Sequence, residues 1–127
     1  MPVYRTVTIA LAATLMLTAC DKFTTWAKDG IPNYVERAKW LPMAEAGNVE
    51  AQYKVGDSYC CGTDEHRSNR LALYYWCRAA EQGQRDAMFE LGRVYEQTEP
   101  RYTMIGSMVP KDWAKSYAFY DMAIKHG

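Results

Sequence analysis

The sequence repeats itself, and that constrains the fold more than any single motif. Displaced by 36 positions, Trp40, Ala44, Glu45, Gly47, Ala51, Gly56 and Tyr59 fall on Trp76, Ala80, Glu81, Gly83, Ala87, Gly92 and Tyr95, while Tyr53 and Val55 fall on Phe89 and Leu91. A period of this size marks an array of small helical units, none of which buries its apolar face alone. Within the unit Ala51, Val55 and Tyr59 recur on one side of a helix. Gly47 and Gly83 sit where a left-handed helix stop is expected. Gly56 and Gly92 lie inside helices, where glycine costs about 1 kcal/mol relative to alanine, which implies another helix crossing too closely for a side chain. The spacing predicts helices over 33–45, 48–60, 69–82, 84–97 and 111–126. The expected fold is all-α, an α/α superhelix of about two and a half helix-turn-helix repeats, with Pro42 bending the first helix.

These residues resemble the Sel-one-like repeat, a branch of the tetratricopeptide-like superfamily. Ala80-Glu81-Gln82-Gly83 with Ala87, Leu91-Gly92 and Tyr95 follows its motif, as does Val109 to Lys115 leading to Phe119-Tyr120 and Ala123, and Gly30-Ile31-Pro32 looks like a shortened copy of the same start. The resemblance covers roughly 30–127. It departs from the family pattern in the loop 62–68 and in the longer stretch 96–105. It implies a non-catalytic adaptor whose partner is another protein. In its sharper form it implies an immunity protein neutralising a periplasm-delivered secretion-system effector, because some lipoproteins of this family accompany secreted phospholipases.

The N-terminus reads as a processing signal. After Arg5 the stretch 7–19 is uncharged and broken only by threonines, shorter than the ~20 apolar residues that span a bilayer. It ends in Leu17-Thr18-Ala19-Cys20, which resembles a bacterial lipobox. That resemblance implies removal of 1–19, lipidation of Cys20 with a diacylglyceryl and an N-acyl chain, a tether over 20–29 and a repeat domain over 30–127. Two or more chains give stable anchoring where one does not. Asp21 after the lipidated cysteine implies retention in the inner membrane of the cell envelope, facing the periplasm, with the outer membrane as the alternative.

Composition narrows the function classes. Fifteen Lys and Arg balance fifteen Asp and Glu, so the Lys/Arg excess of a nucleic-acid binder is missing. Four cysteines suggest two disulfides, but processing commits Cys20 to lipid and leaves Cys60, Cys61 and Cys77, an odd number. With helices 48–60 and 69–82 antiparallel, Cys77 lies about 12 Å along the axis from Cys61 at ~1.5 Å rise per residue, which leaves free thiols or a vicinal Cys60–Cys61 bridge. A Cys/His-based redox or metal-handling protein using Cys60, Cys61, His66 and Cys77 is the rival reading. Three or four ligands must converge to hold a metal, and adjacent cysteines on a helix diverge. No phosphate loop, serine elbow or paired-histidine motif is present. The expectation is therefore no catalytic residue, metal, cofactor, nucleic acid or small-molecule substrate. His126 is expected to interact with the dipole of the last helix.

The surface is read from the same periodicity. If Ala51, Val55 and Tyr59 face inward, Glu50, Lys54, Asp57 and Ser58 face outward, with Asp86, Glu90 and Arg93 as their counterparts. The segment 97–107 adds Arg101, Tyr102, Met104 and Ile105, more chain than a connection needs. Lys54, Asp57, Ser58, Glu90, Arg93, Arg101 and Tyr102 are the candidate protein-binding residues, and Trp26 and Trp113 are further expected contacts. Tyr53, Tyr59, Trp76, Phe89, Tyr95, Phe119 and Tyr120 are expected core. Either the natural chain continues past Gly127, or Tyr117, Tyr120 and Ile124 remain as an uncovered apolar face.

Overall fold

The computed structural model describes residues 35–61, 67–103, 105–106 and 108–127. The lipobox with Cys20 and Asp21, the tether, Trp26, the Gly30-Ile31-Pro32 start, His66 and Met104 lie outside the described residues. Six helices follow one another: α1 (Val35–Glu45), α2 (Val49–Tyr59), α3 (Asn69–Glu81), α4 (Arg85–Glu96), α5 (Pro100–Thr103) and α6 (Trp113–His126). They form an all-α repeat solenoid in which α1 is a half repeat, α2–α3 the first full repeat and α4–α6 the second, with no strand among the described residues.

Each boundary has a local cause. The Asn48, Ser68, Gln84 and Asp112 side chains accept hydrogen bonds from the amides of Ala51, Leu71, Ala87 and Lys115, satisfying donors that a helix start leaves unpaired. This is why α6 starts at Trp113 and not at 111. Gly47 and Gly83 have φ of 99° and 92°, the left-handed stop expected from the sequence. In each case the next amide closes a Schellman turn, Asn48 N donating to Met43 O and Gln84 N to Ala79 O. One residue therefore ends one helix and the next caps the following one. α1 runs as one element through Pro42 in its last turn.

The interior glycines are explained by what lies across from them. A Cβ on Gly56 would come within 2.6 Å of Trp76 Cδ1, and one on Gly92 within 2.5 Å of Tyr120 Cε1. Trp76 and Tyr120 each stand seven residues before the glycine that closes their repeat, Gly83 and Gly127. The same close approach is thus built twice with two different aromatics. Beside it, Tyr59 stacks on Tyr75 with centroids 6.2 Å apart and Tyr95 on Phe119 at 5.8 Å. The buried Gln52 ties three helices, its Nε2 donating to Ala44 O and its Oε1 accepting from Gln82.

Three expectations need correction. Phe89 is 43% exposed and so is not core, because it lies on the outward side of α4 between the Tyr120 ring and the Arg93 guanidinium. Tyr120 is half-buried in the space left by Gly92, and its hydroxyl donates to Glu96, so it is not part of an uncovered face, whereas Tyr117 and Ile124 are. Cys60 and Cys61 form the vicinal bridge that was the alternative expectation, and Cys77 is disulfide-bonded as well, so no free thiol is found among the described residues.

Candidate functional site

Tyr53, expected as core, is only half-buried, on the side of α2 that feels the charges of α4. Glu50 and Asp57 from α2 and Asp86 and Glu90 from α4 lie near enough for their charges to act on its phenol. Partial burial, together with these four carboxylates, pushes the phenol up to about 12. Cations are interleaved with the acids. Arg101 bridges to Asp57 at 3.8 Å and Arg93 to Glu99 at 3.9 Å. Lys54 Nζ lies 4.1 Å from the Trp40 ring centroid, and the Arg93 guanidinium lies 4.8 Å from that of Phe89. The result is a mixed-charge face with aromatic ground between the charges.

The seven candidate residues are brought to this one side, but with different roles. Lys54, Asp57 and Arg101 are exposed there, and Arg93 is half-exposed. Ser58 is already engaged: its hydroxyl donates to Val55 O at 2.7 Å and accepts from Arg37 Nε at 3.0 Å. Arg37, fully buried, also lies 3.4 Å over the Tyr59 ring, a contact the sequence reading did not anticipate. Tyr102 is a correction, because it is completely buried and its hydroxyl donates to Glu90. Burial first, and Glu90 second, push its phenol up to about 12. Glu90 is accordingly half-covered and occupied.

Tyr102 is buried because 97–112 folds back on the second repeat. Ile105 and Val109 are buried with it, Gln97 Nε2 donates to Val109 O at 2.7 Å, and Asp112 N donates to Tyr95 O at 3.0 Å. The segment expected as a contact loop is thus pinned to the core by Tyr102, Ile105 and Val109 while 98–101 and Thr103 stay exposed, and its one-turn α5 offers Arg101 to Asp57 in the first repeat. We expect Tyr102→Ala to lose about 3 kcal/mol, as buried aromatic truncations do, and Arg101→Ala to lose less than about 1 kcal/mol, as exposed pairs do. Urea unfolding of both variants checks this, and equal losses would show that the exposed pair is what fastens the segment.

Trp113 is exposed, as expected of a contact residue. His126 Nδ1 lies 2.9 Å from Met122 O in the last turn of α6. Among the described residues no group of three or more His, Cys, Asp or Glu side chains is placed to hold a metal ion.

The Sel1 repeat family model matches residues 49–84 and 85–127, more than half of the chain. The chain belongs to the Sel1 repeat family. No curated protein and no solved structure matches it. The family boundaries fall at the caps Asn48 and Gln84, so α2 and α4 are the first helices of the two Sel1 repeats. Sel1 repeats are in general modules for protein–protein interaction. In a solenoid the equivalent helices of successive repeats line up side by side to form one extended surface. The Tyr53 face of this Sel1 protein is such a surface.

Proposed function

We propose that this protein is a lipid-anchored, periplasm-facing binding protein of the bacterial envelope. Cys20 carries the lipid, Asp21 directs retention in the inner membrane, and the α2/α4 face captures another protein without catalysis. The anchoring half rests on the charged start, the uncharged core and Leu17-Thr18-Ala19-Cys20. Removing 1–19 leaves 108 residues with one net negative charge. The observation that carries the binding half is the Tyr53 face itself. Its exposed Lys54, Asp57 and Arg101 and half-exposed Arg93 are each held against a neighbouring ring or opposite charge, so less side-chain freedom is lost when a partner docks.

Two measurements test the two halves. Labelled palmitate is expected to enter the wild-type chain and not Cys20→Ser. A Cys20–Cys77 disulfide in the mature protein would overturn the anchor, because a thioether leaves that sulfur no thiol to pair. For the face, the wild-type protein and a Lys54→Glu, Arg93→Glu variant are used as baits in envelope extracts. Exposed charges of this kind typically change stability by about 0.5 kcal/mol or less, so the variant is expected to keep its circular dichroism and lose partners the wild type retains. Identical recovery by both baits would remove the α2/α4 face from consideration. If the captured protein is a toxic effector encoded beside this gene, the partner is the effector and the role is immunity.

A further inference from the structure

We infer that the cavity between α1 and α2 receives a carboxylate side chain from an acidic segment of the partner protein. The inference rests on the reading that this side of the molecule captures another protein, and it names what one part of that side takes. Trp40, Tyr53, Lys54, Asp57 and Ser58 line a cavity of about 250 Å³ together with Arg37. α1 supplies Arg37 and Trp40, and α2 supplies the others. The Trp40 and Tyr53 rings are half-buried, and Arg37 is buried, its Nε donating to Ser58 Oγ and its Nη2 to Ser58 O. Much of the wall is therefore fixed before a partner arrives, which keeps the ordering cost of binding low.

The charge around this cavity sets the chemistry of its occupant. Lys54 Nζ lies 4.1 Å and Lys39 Nζ 5.2 Å from the centroid of the same Trp40 ring. Two like charges thus share one ring, an arrangement that their repulsion opposes and an anion relieves. The neighbouring cations are already matched, Arg101 with Asp57 and Arg93 with Glu99. Lys39 and Lys54 are exposed, and among the described residues neither is in an ion pair. Glu50, one turn before Lys54, is not paired with it, and Asp57, the carboxylate in the lining, is held by Arg101. A cleft with apolar walls and a surplus of one sign of charge focuses the field and draws counter-ions.

The occupant is a protein segment because the cavity is continuous with the α2/α4 face. Tyr53 and Lys54 line the cavity and also belong to that face, so a chain lying across the face reaches the cavity without leaving α2. On the other side of Tyr53, Asp86 and Glu90 of α4 act on its phenol. α4 therefore repels an acidic side chain that Lys39 and Lys54 attract. This difference in charge sets which way a partner segment lies across α2.

The probe is an end-capped pentaglutamate peptide, whose carboxylates are all on side chains, titrated into the purified protein by isothermal calorimetry. Saturable binding is expected, weakened about threefold or more by Lys39→Gln and by Lys54→Gln and about tenfold by the two together, the size that partly exposed ion pairs support. Lys54→Arg is expected to keep it. Both positions are exposed, so circular dichroism and the urea midpoint are expected to stay unchanged. Lys111, also exposed, lies 4.5 Å from the Trp113 ring and away from this cavity, and Lys111→Gln is expected to bind the peptide as the wild type does. No saturable binding, equal binding of pentalysine, or the same loss in Lys111→Gln would overturn the inference, the last because the attraction would then be diffuse. So would phosphatidylglycerol vesicles that bind through Lys39 and Lys54 and are not displaced by the peptide, because a lipid headgroup would then be the occupant. A wild-type bait that captures an envelope protein but does not bind pentaglutamate would sink this inference alone and leave the α2/α4 face standing.

Discussion

Gly56→Ala is expected to destabilise the protein by about 1–3 kcal/mol, the usual range for overpacking a core, although alanine favours a helix by about 1 kcal/mol over glycine. The steric term wins because the new methyl would come within 2.6 Å of Trp76 Cδ1 and 3.2 Å of the Ala72 carbonyl oxygen, and Trp76 is fully buried. Trp76→Ala alone is expected to cost about 3–5 kcal/mol. In the Trp76→Ala background only the milder 3.2 Å approach to the Ala72 carbonyl oxygen remains, and Gly56→Ala is expected to stabilise by up to about 1 kcal/mol. The double-mutant cycle by chemical denaturation reads this reversal of sign directly. Additive effects would mean that the close approach does not account for the glycine. The matching change, Gly92→Ala, is expected to cost less, because Tyr120 is only half-buried and can swing aside.

At high pH the fold is expected to fail cooperatively and not to titrate gradually. Burial is the first cause that pushes the phenols of Tyr75, Tyr95 and Tyr102 up to about 12. All three are nearly or wholly buried, and among the described residues the Tyr95 hydroxyl has no hydrogen-bond partner that would favour its anion. The native state keeps these protons where an unfolded tyrosine, with a pKa of about 10, releases them. The stabilisation from keeping them is therefore complete below about pH 10 and is lost as pH rises toward 12. At roughly 1.4 kcal/mol per pKa unit, each phenol accounts for roughly 2–3 kcal/mol, and the three together rival the 5–15 kcal/mol of a typical domain. Phenolate absorbance and far-ultraviolet circular dichroism are expected to change together between pH 10 and 12, and Tyr95→Phe to move that midpoint upward. Phenolate appearing near pH 10 with the helices intact would contradict the buried assignment of these rings.

The glycines, the caps and the outward charges were legible in the sequence because each depends on a short, regular geometry. Gly47 and Gly83 follow from the way a helix ends. Lys54 and Asp57 are exposed as their angular separation from Ala51, Val55 and Tyr59 requires. Gly56 and Gly92 announced a close approach, but not which ring would fill it. Trp76 and Tyr120 are different aromatics at unequal distances along the chain, because the second repeat carries the long segment before α6.

Tyr102 and Phe89 were misread for the same physical reason from opposite directions. In a segment without periodicity an aromatic carries no information about which way it faces. Tyr102 is core because 97–112 doubles back onto α4, a result of Gln97 reaching the Val109 carbonyl and Asp112 reaching Tyr95. Phe89 occupies a repeat position, but the covering that position receives comes from neighbours in the stack and not from its own helix. The repeat in the sequence determined the helices, their stops and the side each turns outward, because those depend on contacts a few residues apart. Only the tertiary structure decided which outward positions are left uncovered, because burial in a stack is conferred by the next helix over. α3 has such a helix on both sides, and α6 has its main contact on only one.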